Sequence, residues 1–253
     1  MTVLALAIHK GGTAKTVTTL ALGNELGKLG RRVLLIDMDP QANLTFSCGY
    51  DTAQIAISIY EALLQPDMGV ARMTLRTPHE VDLVPATLAL AGAELVLSGR
   101  IGRELILRTA IQEARRVYDY VLIDTPPSLG LFTINAVAAA DAVLVPLQAH
   151  ALAWRALPQL EETIALVRQL NPPIQIGGIA ITMYDRRTSL CQAIADEARA
   201  AYGDRVFKTM IPVTIKLAEA PALGQPIGTY APDSPAATAY HELAQEVDAR
   251  YDH

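Results

Sequence analysis

Short apolar runs rich in leucine and β-branched residues alternate along this chain with longer segments whose apolar residues recur at helical spacing. Such alternation is typical of βαβ units and predicts an α/β fold in which helices flank both faces of a doubly wound, mostly parallel sheet. Hydrophobic residues make up 51% of the chain and charged residues 19%, which suits strands buried on both faces. The length of 253 residues predicts a single domain, residues 1–253.

The same patterns locate the individual elements. Strands are predicted at residues 3–8, 33–37, 81–84, 120–124, 142–146, 176–182 and 206–208. Helices are predicted at residues 16–29, 57–64, 88–97, 103–116, 131–139, 157–169, 189–202 and 236–250. Residues 212–235 are rich in proline and glycine and are predicted to form a long ordered loop. Ligands of open parallel sheets bind beyond the carboxyl ends of the strands, so functional residues are expected just after each strand.

Composition excludes several classes of protein. The most apolar stretch, residues 131–147, is interrupted by Asn135, Asp141 and Pro146 and cannot supply the ~20 apolar residues of a membrane span. The sequence opens on an apolar strand pattern and not on the basic region and cleavage site of a signal peptide, so a cytoplasmic protein is expected. Cys48 and Cys191 are far apart and lack metal-binding spacing, which predicts ordinary thiols.

The loop after the first predicted strand, residues 9–16, reads HKGGTAKT and leads directly into a predicted helix. Gly11 and Gly12 allow the backbone amides to point inward, and the start of the helix presents its positive end to an anion. Lys15 would neutralise phosphates, and the Thr16 hydroxyl would bind Mg²⁺. Because histidine and alanine occupy the two glycine positions of the strict pattern GxxxxGK[ST], a simple glycine-containing turn stays an alternative.

Two later strands are predicted to end in carboxylates. The first ends in IDMDPQ, where Asp37 and Asp39 stand at alternate positions and are expected to point to the same side. The other ends in Asp124, followed by TPPS. Phosphoryl transfer needs one carboxylate to orient or deprotonate the attacking water and another to help hold Mg²⁺. Either acidic motif alone is compatible with a strand that ends in a solvated turn. The loop at residues 9–16 and the two acidic motifs, taken together in this order, favour an ATPase.

Together these motifs resemble the ParA/MinD family of partition ATPases. Lys10-Gly11-Gly12 with Lys15-Thr16 is similar to the family's deviant Walker A motif, KGGxGK[ST], and the two acidic motifs are similar to its switch I, DxDPQ, and switch II, DxPPS. The resemblance implies ATP and Mg²⁺ as cofactors and a homodimer that forms when ATP is bound. In that dimer Lys10 would reach the partner's phosphates, in the manner of an arginine finger.

The resemblance also implies individual roles. Asp39 would activate water as a catalytic residue beside Lys10 and Lys15, and Mg²⁺ would be held by Thr16, Asp37 and Asp124. The phosphates would contact the loop residues Gly11, Gly12, Thr13, Ala14, Lys15, Thr16 and Val17. Ala14 departs from the glycine of the family pattern, and its Cβ is expected to crowd the phosphate or to disfavour the local backbone conformation.

Two segments of the carboxyl half resemble Soj-type members of the family. Residues 182–188 are similar to T-M-x-D-x-R-T, and residues 211–221 are similar to I-P-R-N-x-R-L-x-E-A-P. The resemblance implies that Met183, Pro212 and Thr214 lie near the adenine. Arg187 and Lys216 match family positions whose positive charge supports non-specific DNA binding. We expect weak, ATP-dependent DNA binding through Arg186, Arg187, Lys208 and Lys216, since a net charge of −5 argues against strong binding. Val213, Thr214 and Gln225 replace an arginine, an asparagine and a lysine of the family, which leaves fewer phosphate contacts.

Several alternatives follow from relatives of the same fold. The acidic terminal segment, residues 236–253, does not fit the basic membrane helix of MinD-like proteins, so no membrane partner is expected. Neither Cys48 nor Cys191 lies in the switch segment that follows Asp124, which argues against the iron–sulfur cluster of nitrogenase reductases. The favoured function is an ATP-dependent switch that positions a chromosome, plasmid or protein compartment at the nucleoid. Its ATP hydrolysis is expected to be slow and to be stimulated by a ParB-like activator. A nucleotide-binding scaffold inactivated by Ala14, and a small-molecule ATP-dependent enzyme, are the alternatives.

Overall fold

The computed structural model describes residues 1–12 and 14–251, and these form an α/β fold around one eight-stranded sheet. The strand order is β3-β4-β2-β5-β1-β6-β7-β8. Neighbouring strands are parallel except β3, which pairs antiparallel with β4 at one edge. The strands are β1 (Thr2–Leu6), β2 (Val33–Asp37), β3 (Leu75–Arg76), β4 (Asp82–Val84), β5 (Tyr120–Asp124), β6 (Ala142–Gln148), β7 (Ile176–Tyr184) and β8 (Val206–Pro212).

Helices cover both faces of the sheet. They are α1 (Lys15–Lys28), α2 (Asn43–Ser47), α3 (Ile59–Leu64), α4 (Leu90–Leu97), α5 (Ile106–Ala110), α6 (Ala114–Val117), α7 (Leu131–Ala139), α8 (Ala151–Trp154), α9 (Leu157–Val167), α10 (Ser189–Tyr202), α11 (Lys216–Ala222), α12 (Ile227–Tyr230) and α13 (Pro235–Tyr251). Among the helices in the described ranges, none is long and apolar enough to cross a membrane.

The alternation of side chains along β1 explains why the sheet has two apolar faces. Val3 and Ala5 belong to one buried cluster, which includes side chains of α7 and α9. Leu4 and Leu6 belong to a second cluster on the opposite face, which includes side chains of α1 and α13. All five residues of β1, β2 and β5 are buried, as expected for central parallel strands covered on both sides.

The predicted fold class is confirmed, and each predicted strand overlaps an observed one. The short antiparallel strand β3 was not predicted, because two residues are too few to show periodicity. Helix α3 begins at Ile59, two residues later than predicted, because the Ser58 side chain accepts a hydrogen bond from the Tyr60 amide while Glu61 closes a capping box.

Two predicted elements were wrong. The helix expected at residues 103–116 is divided into a 3₁₀ turn, α5 and α6. The Asn135 side chain donates a hydrogen bond to the Arg103 carbonyl (2.8 Å) and accepts one from the Leu107 amide (3.1 Å). These contacts satisfy backbone groups that a continuous helix would bond to itself. The loop expected at residues 212–235 contains α11 and α12. Pro226 directly precedes α12, a position where its missing N–H costs no helical hydrogen bond.

Close packing of α1 against the edge of the sheet supplies a test of the fold. A Cβ added to Gly27 would collide with the Glu80 carbonyl oxygen, whereas a Cβ added to Gly92, inside α4, would meet open space. We expect Gly27→Ala to lower the free energy of unfolding by about 1–3 kcal/mol through overpacking. Gly92→Ala is the matched control and should raise it by about 0.5–1 kcal/mol, because alanine is the better helix former. Urea unfolding measures both, and equal changes in the two variants would contradict this packing.

Candidate functional site

A cavity of about 500 Å³ opens beyond the carboxyl ends of the central strands. Strand register explains its position, because Asp124 at the end of β5 pairs with Leu6 of β1 and with Asp37 of β2. The loops that follow these strands therefore start side by side. The cavity is lined by Gly11, Gly12, Ala14, Lys15, Thr16, Val17, Asp39, Gln41, Asn43, Ser47, Thr125, Pro127, Thr182, Met183, Ile211, Val213, Thr214, Leu217, Ala218 and Tyr240.

Two described residues of the loop between β1 and α1 have a positive φ. Gly12 has a φ of +72°, and Ala14 is left-handed, with φ 66° and ψ 25°, at the N-cap of α1. Thr13, predicted to contact phosphate, lies outside the described residues. An L-residue with a side chain pays about 1–2 kcal/mol for this left-handed conformation, whereas glycine does not. The expectation that Ala14 occupies an unfavourable backbone conformation is therefore confirmed.

The two lysines of the loop have different surroundings. Lys15 lies among the cavity-lining residues and is buried, and its Nζ donates a hydrogen bond to the Lys10 carbonyl oxygen (3.0 Å). Burial lowers the pKa of Lys15, while the charges of Asp124 and Asp39 oppose this effect. Lys10 is half-buried and outside the cavity lining, and its Nζ donates to Oε1 of Gln148 on β6 (3.4 Å). Of these two lysines, Lys15 is the one that lines the cavity.

Thr16 lines the cavity and is hydrogen-bonded to Asp124, which is buried and lies outside the lining. The Thr16 hydroxyl donates to Oδ2 of Asp124 (2.7 Å), and the Thr19 hydroxyl donates to Oδ1 (3.3 Å). Asp124 is fully buried, and burial together with the charge of Asp37 raises its pKa to about 8. A hydroxyl and a carboxylate are the hard oxygen donors that Mg²⁺ prefers. The donor set thus fits a magnesium ion beside the first turn of α1.

The two carboxylates after β2 differ in their contacts. Asp37 accepts hydrogen bonds from the Thr45 amide (2.9 Å), the Thr45 hydroxyl (2.7 Å) and the Asp39 amide (3.1 Å), and burial raises its pKa to about 6. Asp39 lines the cavity and accepts from the Gln41 amide (2.9 Å). The prediction that Asp37 and Asp39 point to the same side assumed that both lie in a strand. Strand β2 ends at Asp37, so the alternation of side chains does not extend to Asp39. Metal binding by Asp37 stays a prediction.

The wall opposite the acidic residues comes from the carboxyl half. Met183 has a φ of 51°, near a register shift at the end of β7, and lines the cavity together with Thr214. Pro212 is not among the lining residues, although its neighbours Ile211 and Val213 are. Tyr240 also lines the cavity, and its hydroxyl lies 3.0 Å from that of Thr18 on α1. Sequence analysis missed Tyr240 as a cavity residue, because its spacing is that of one apolar position of an amphipathic helix.

The four basic residues expected to bind DNA are all exposed, but the structure does not bring them into one cluster. Arg186 and Arg187 follow β7, and Lys216 begins α11 after β8. Arg187 pairs with both carboxylate oxygens of Asp185 (2.9 and 2.8 Å) and thereby lowers the pKa of Asp185 to about 2. Lys208 lies earlier on β8, where its backbone amide donates to Glu246 of α13 (2.8 Å).

Comparison with known proteins agrees with this geometry. A family model described as an AAA domain matches residues 1–176. The sporulation initiation inhibitor protein Soj of Bacillus subtilis is 41% identical over 98% of this chain and 98% of its own length. The chromosome partitioning protein ParA of Caulobacter vibrioides is 42% identical over 98% and 94%. This chain belongs to the ParA/Soj family of chromosome-partitioning ATPases.

Solved structures extend the likeness to the whole fold. A protein named cobyrinic acid a,c-diamide synthase, from Mycobacterium smegmatis, with a bound ATP analogue and magnesium, is 38% identical to this ParA/Soj homologue. It superposes with a TM-score of 0.87 and covers 100% of this chain and 96% of that one. Apo McdA from Cyanothece has a TM-score of 0.85 at 24% identity, covers 97% and 98%, and supports the fold alone.

The left-handed conformation of Ala14 generates a prediction about stability. We expect Ala14→Gly to raise the free energy of unfolding of the nucleotide-free protein by about 1 kcal/mol, because glycine adopts this conformation without steric cost. Gly12→Ala is the converse variant, since its Cβ would meet no atom within 4 Å and only the backbone would be strained. It should lower the free energy of unfolding by a similar amount in urea denaturation. A loss of stability in Ala14→Gly would refute the backbone explanation.

The buried carboxylates predict a pH dependence. Because the pKa of Asp124 is raised to about 8 and that of Asp37 to about 6, the folded protein holds protons that the unfolded chain releases at lower pH. The free energy of unfolding without nucleotide or metal should therefore fall as the pH rises from about 4 to about 8. Asp124→Asn should flatten this fall between pH 6 and 8, as measured by urea unfolding in the presence of a chelator. An unchanged slope in this variant would mean that Asp124 does not hold the proton.

Proposed function

We propose that this chain is one domain, residues 1–253, that acts as an ATP-dependent dimerisation switch. Its ATP-bound homodimer binds DNA non-specifically and positions or segregates a cargo, and a ParB-like activator stimulates hydrolysis. The observation that carries the proposal is one cavity shared by Lys15, Thr16 and Asp39, with Asp124 hydrogen-bonded to Thr16 beneath it. DNA as the surface that is bound favours a cytoplasmic protein associated with the nucleoid.

The residues of the cavity suit the binding of Mg²⁺ and ATP. Gly11, Gly12 and the start of α1 would hold the phosphates with backbone N–H groups, and Lys15 would neutralise the β- and γ-phosphates. Thr16 and Asp124 would hold Mg²⁺, which supplies positive charge to the phosphate oxygens. Asp39 would orient the attacking water, since its carboxylate lines the cavity whereas that of Asp37 is occupied by Thr45.

The position of Lys10 supports a role across a dimer. Its carbonyl oxygen contacts Lys15, but its ammonium group is directed to Gln148 and it does not line the cavity of its own protomer. A second cation would be most useful on the transferred phosphate, where charge develops during hydrolysis. Lys10 of one protomer would provide it to the nucleotide of the other, so that hydrolysis needs the dimer.

The DNA contacts would come from Arg186, Arg187, Lys208 and Lys216. Arg186 and Lys216 are exposed beyond the carboxyl ends of neighbouring strands, on the same side of the sheet as the nucleotide cavity. The Asp185 carboxylate offsets the charge of Arg187, so we expect a smaller contribution from it. With so few charges, binding would be weak and would fall steeply with salt.

The switch is tested by the lifetime of the ATP state. With ATP and Mg²⁺, Asp39→Ala should bind nucleotide but hydrolyse it at least about 100-fold more slowly, because the water is no longer oriented. Its dimer should therefore persist after removal of free ATP, as measured by light scattering coupled to size exclusion, whereas the unchanged protein returns to monomer. Lys10→Ala should bind ATP and stay monomeric. Dimerisation that is independent of ATP, or unaffected by both variants, would contradict the switch.

The same samples test DNA as the partner. Retention on DNA should require ATP and weaken as salt increases. A double variant, Arg186→Gln with Lys216→Gln, should reduce the salt dependence of DNA retention. Lys208→Gln serves as the comparison and should reduce it less, because Lys208 lies toward the amino end of β8. DNA retention that is equal with ADP and ATP would show that the switch has another partner.

Two observations support the alternative functions, a nucleotide-binding scaffold and a small-molecule enzyme. The left-handed Ala14 supports a nucleotide-binding scaffold with little hydrolysis, and a large gain in ATP affinity or turnover in Ala14→Gly would favour it. The solved relative named cobyrinic acid a,c-diamide synthase supports a small-molecule ATP-dependent enzyme. That function would require ATP turnover that depends on a carboxylic acid and an amide donor, and not on DNA or dimerisation.

A further inference from the structure

The end of β6 lies beside the residues that precede the phosphate loop. Strands β1 and β6 are parallel neighbours in which Leu6 pairs with Leu144, and Lys10 and Gln148 each follow these paired positions by four residues. Beyond the pairing the two segments stay in contact, because the Lys10 ammonium donates a hydrogen bond to Oε1 of Gln148 (3.4 Å). The longer strand β6 thus carries an amide group to the level of the loop.

A second glutamine holds the adjoining residue. His9 Nδ1 lies within hydrogen-bonding distance of Oε1 of Gln159, which belongs to α9. The Lys10 amide donates to the Ile8 carbonyl (2.8 Å), so a local turn also fixes the backbone before Gly11. Since the backbone is held at these points, the Lys10 ammonium can change partner by rotation of its own side chain.

The chemistry of the contact between Lys10 and Gln148 suits a reversible hold. An ammonium group has three donors and no acceptor, so it binds the oxygen of the amide. Both side chains are half-buried, which reduces screening by water. The amide oxygen is nevertheless neutral, and an ammonium group binds a charged phosphate oxygen more strongly. A phosphate can therefore take Lys10 from Gln148, whereas a carboxylate at position 148 would compete with the phosphate.

Bound nucleotide would loosen a second contact of Lys10. The Lys10 carbonyl oxygen accepts a hydrogen bond from Lys15 Nζ (3.0 Å), and Lys15 lines the cavity. Phosphates in the cavity would draw the Lys15 ammonium away from this neutral carbonyl for the same reason. The Lys10 backbone then loses one anchor, and the hold on its side chain rests more heavily on Gln148.

We propose that Gln148 is a positioning residue for Lys10: it keeps the ammonium group on its own protomer, and this contact must be exchanged for the phosphates of the partner's nucleotide before the dimer can form. The inference rests on the proposed function, because it assumes that Lys10 acts across the dimer. It adds the regulation of that site, since the strength of one contact within the monomer sets the concentration at which the protein dimerises.

Two substitutions at position 148 should move dimerisation in opposite directions. Gln148→Met has a similar length without the amide oxygen, so Lys10 is released and the Kd of the dimer should fall by about three- to tenfold. Gln148→Glu turns the contact into an ion pair and should raise the Kd by a similar factor. The Kd is measured by sedimentation velocity for the full-length protein with Mg²⁺ and a non-hydrolysable ATP analogue. Gln169 is exposed beyond the end of α9, and Gln169→Glu is the control for added charge, which should leave the Kd unaltered.

The opposite signs separate a positioning role from a purely structural one. If Gln148 served only to complete the end of β6, both substitutions would weaken the dimer, and that result would overturn the inference. Binding of the ATP analogue by the monomer should be unaltered in Gln148→Glu, because neither Lys10 nor Gln148 lines the cavity. A parallel loss of this affinity would show that the added charge acts on the cavity and not through Lys10, which would also contradict the inference.

The nucleotide-free protein provides a test that does not depend on the proposed function. Gln148→Met should lower the midpoint of thermal unfolding by about 1–3 °C, because one hydrogen bond is lost. The same substitution in a Lys10→Ala background should lower it less. An equal effect in the two backgrounds would show that Gln148 does not act on Lys10, and the inference would fail.

The remaining outcomes separate the inference from the function beneath it. An unaltered dimer Kd in both Gln148 variants would overturn the inference and leave the ATP-dependent dimer standing. Failure of the unsubstituted protein to dimerise with the analogue would overturn the proposed function and the inference together.

Discussion

The parallel pairing of β5 with both β1 and β2 is the constraint on which the site depends. It sets Leu6, Asp124 and Asp37 at the same level of the sheet, so that three loops begin together at one edge. The hydrogen bond from Thr16 to Asp124 then joins the first turn of α1 to the end of β5. Since α1 is packed against the sheet through buried apolar side chains, the loop, the helix and the acidic residues are held as one unit.

Much of this unit could be predicted from the sequence because its signals are local. An apolar strand, a glycine-containing loop and a helix are adjacent in the chain. Asp39 follows β2 and Asp124 ends β5, and both strands have a clear apolar pattern. The order of the motifs identified the family, and the fold class followed from the alternation of strands and helices. Boundaries failed where distant side chains intervene, as Asn135 does at the predicted helix 103–116.

The wall of the cavity that comes from the carboxyl half could be predicted only in part. Met183 and Thr214 were inferred from a resemblance, but Leu217, Ala218 and Tyr240 meet them only after the chain has folded. The different surroundings of Asp37 and Asp39 could not be predicted either. The contact between Asp37 and Thr45 depends on where β2 ends and α2 begins.

The contact between Tyr240 and Thr18 affects the order in which the cavity can form during folding. The phosphate loop lies near the amino terminus, but one wall of the cavity is contributed by α13, more than two hundred residues later in the sequence. A nascent chain that has folded β1, α1 and β5 therefore still lacks a closed nucleotide cavity. Ligand binding can stabilise only a state that contains the finished site, so nucleotide can assist the last stage of folding and not the first.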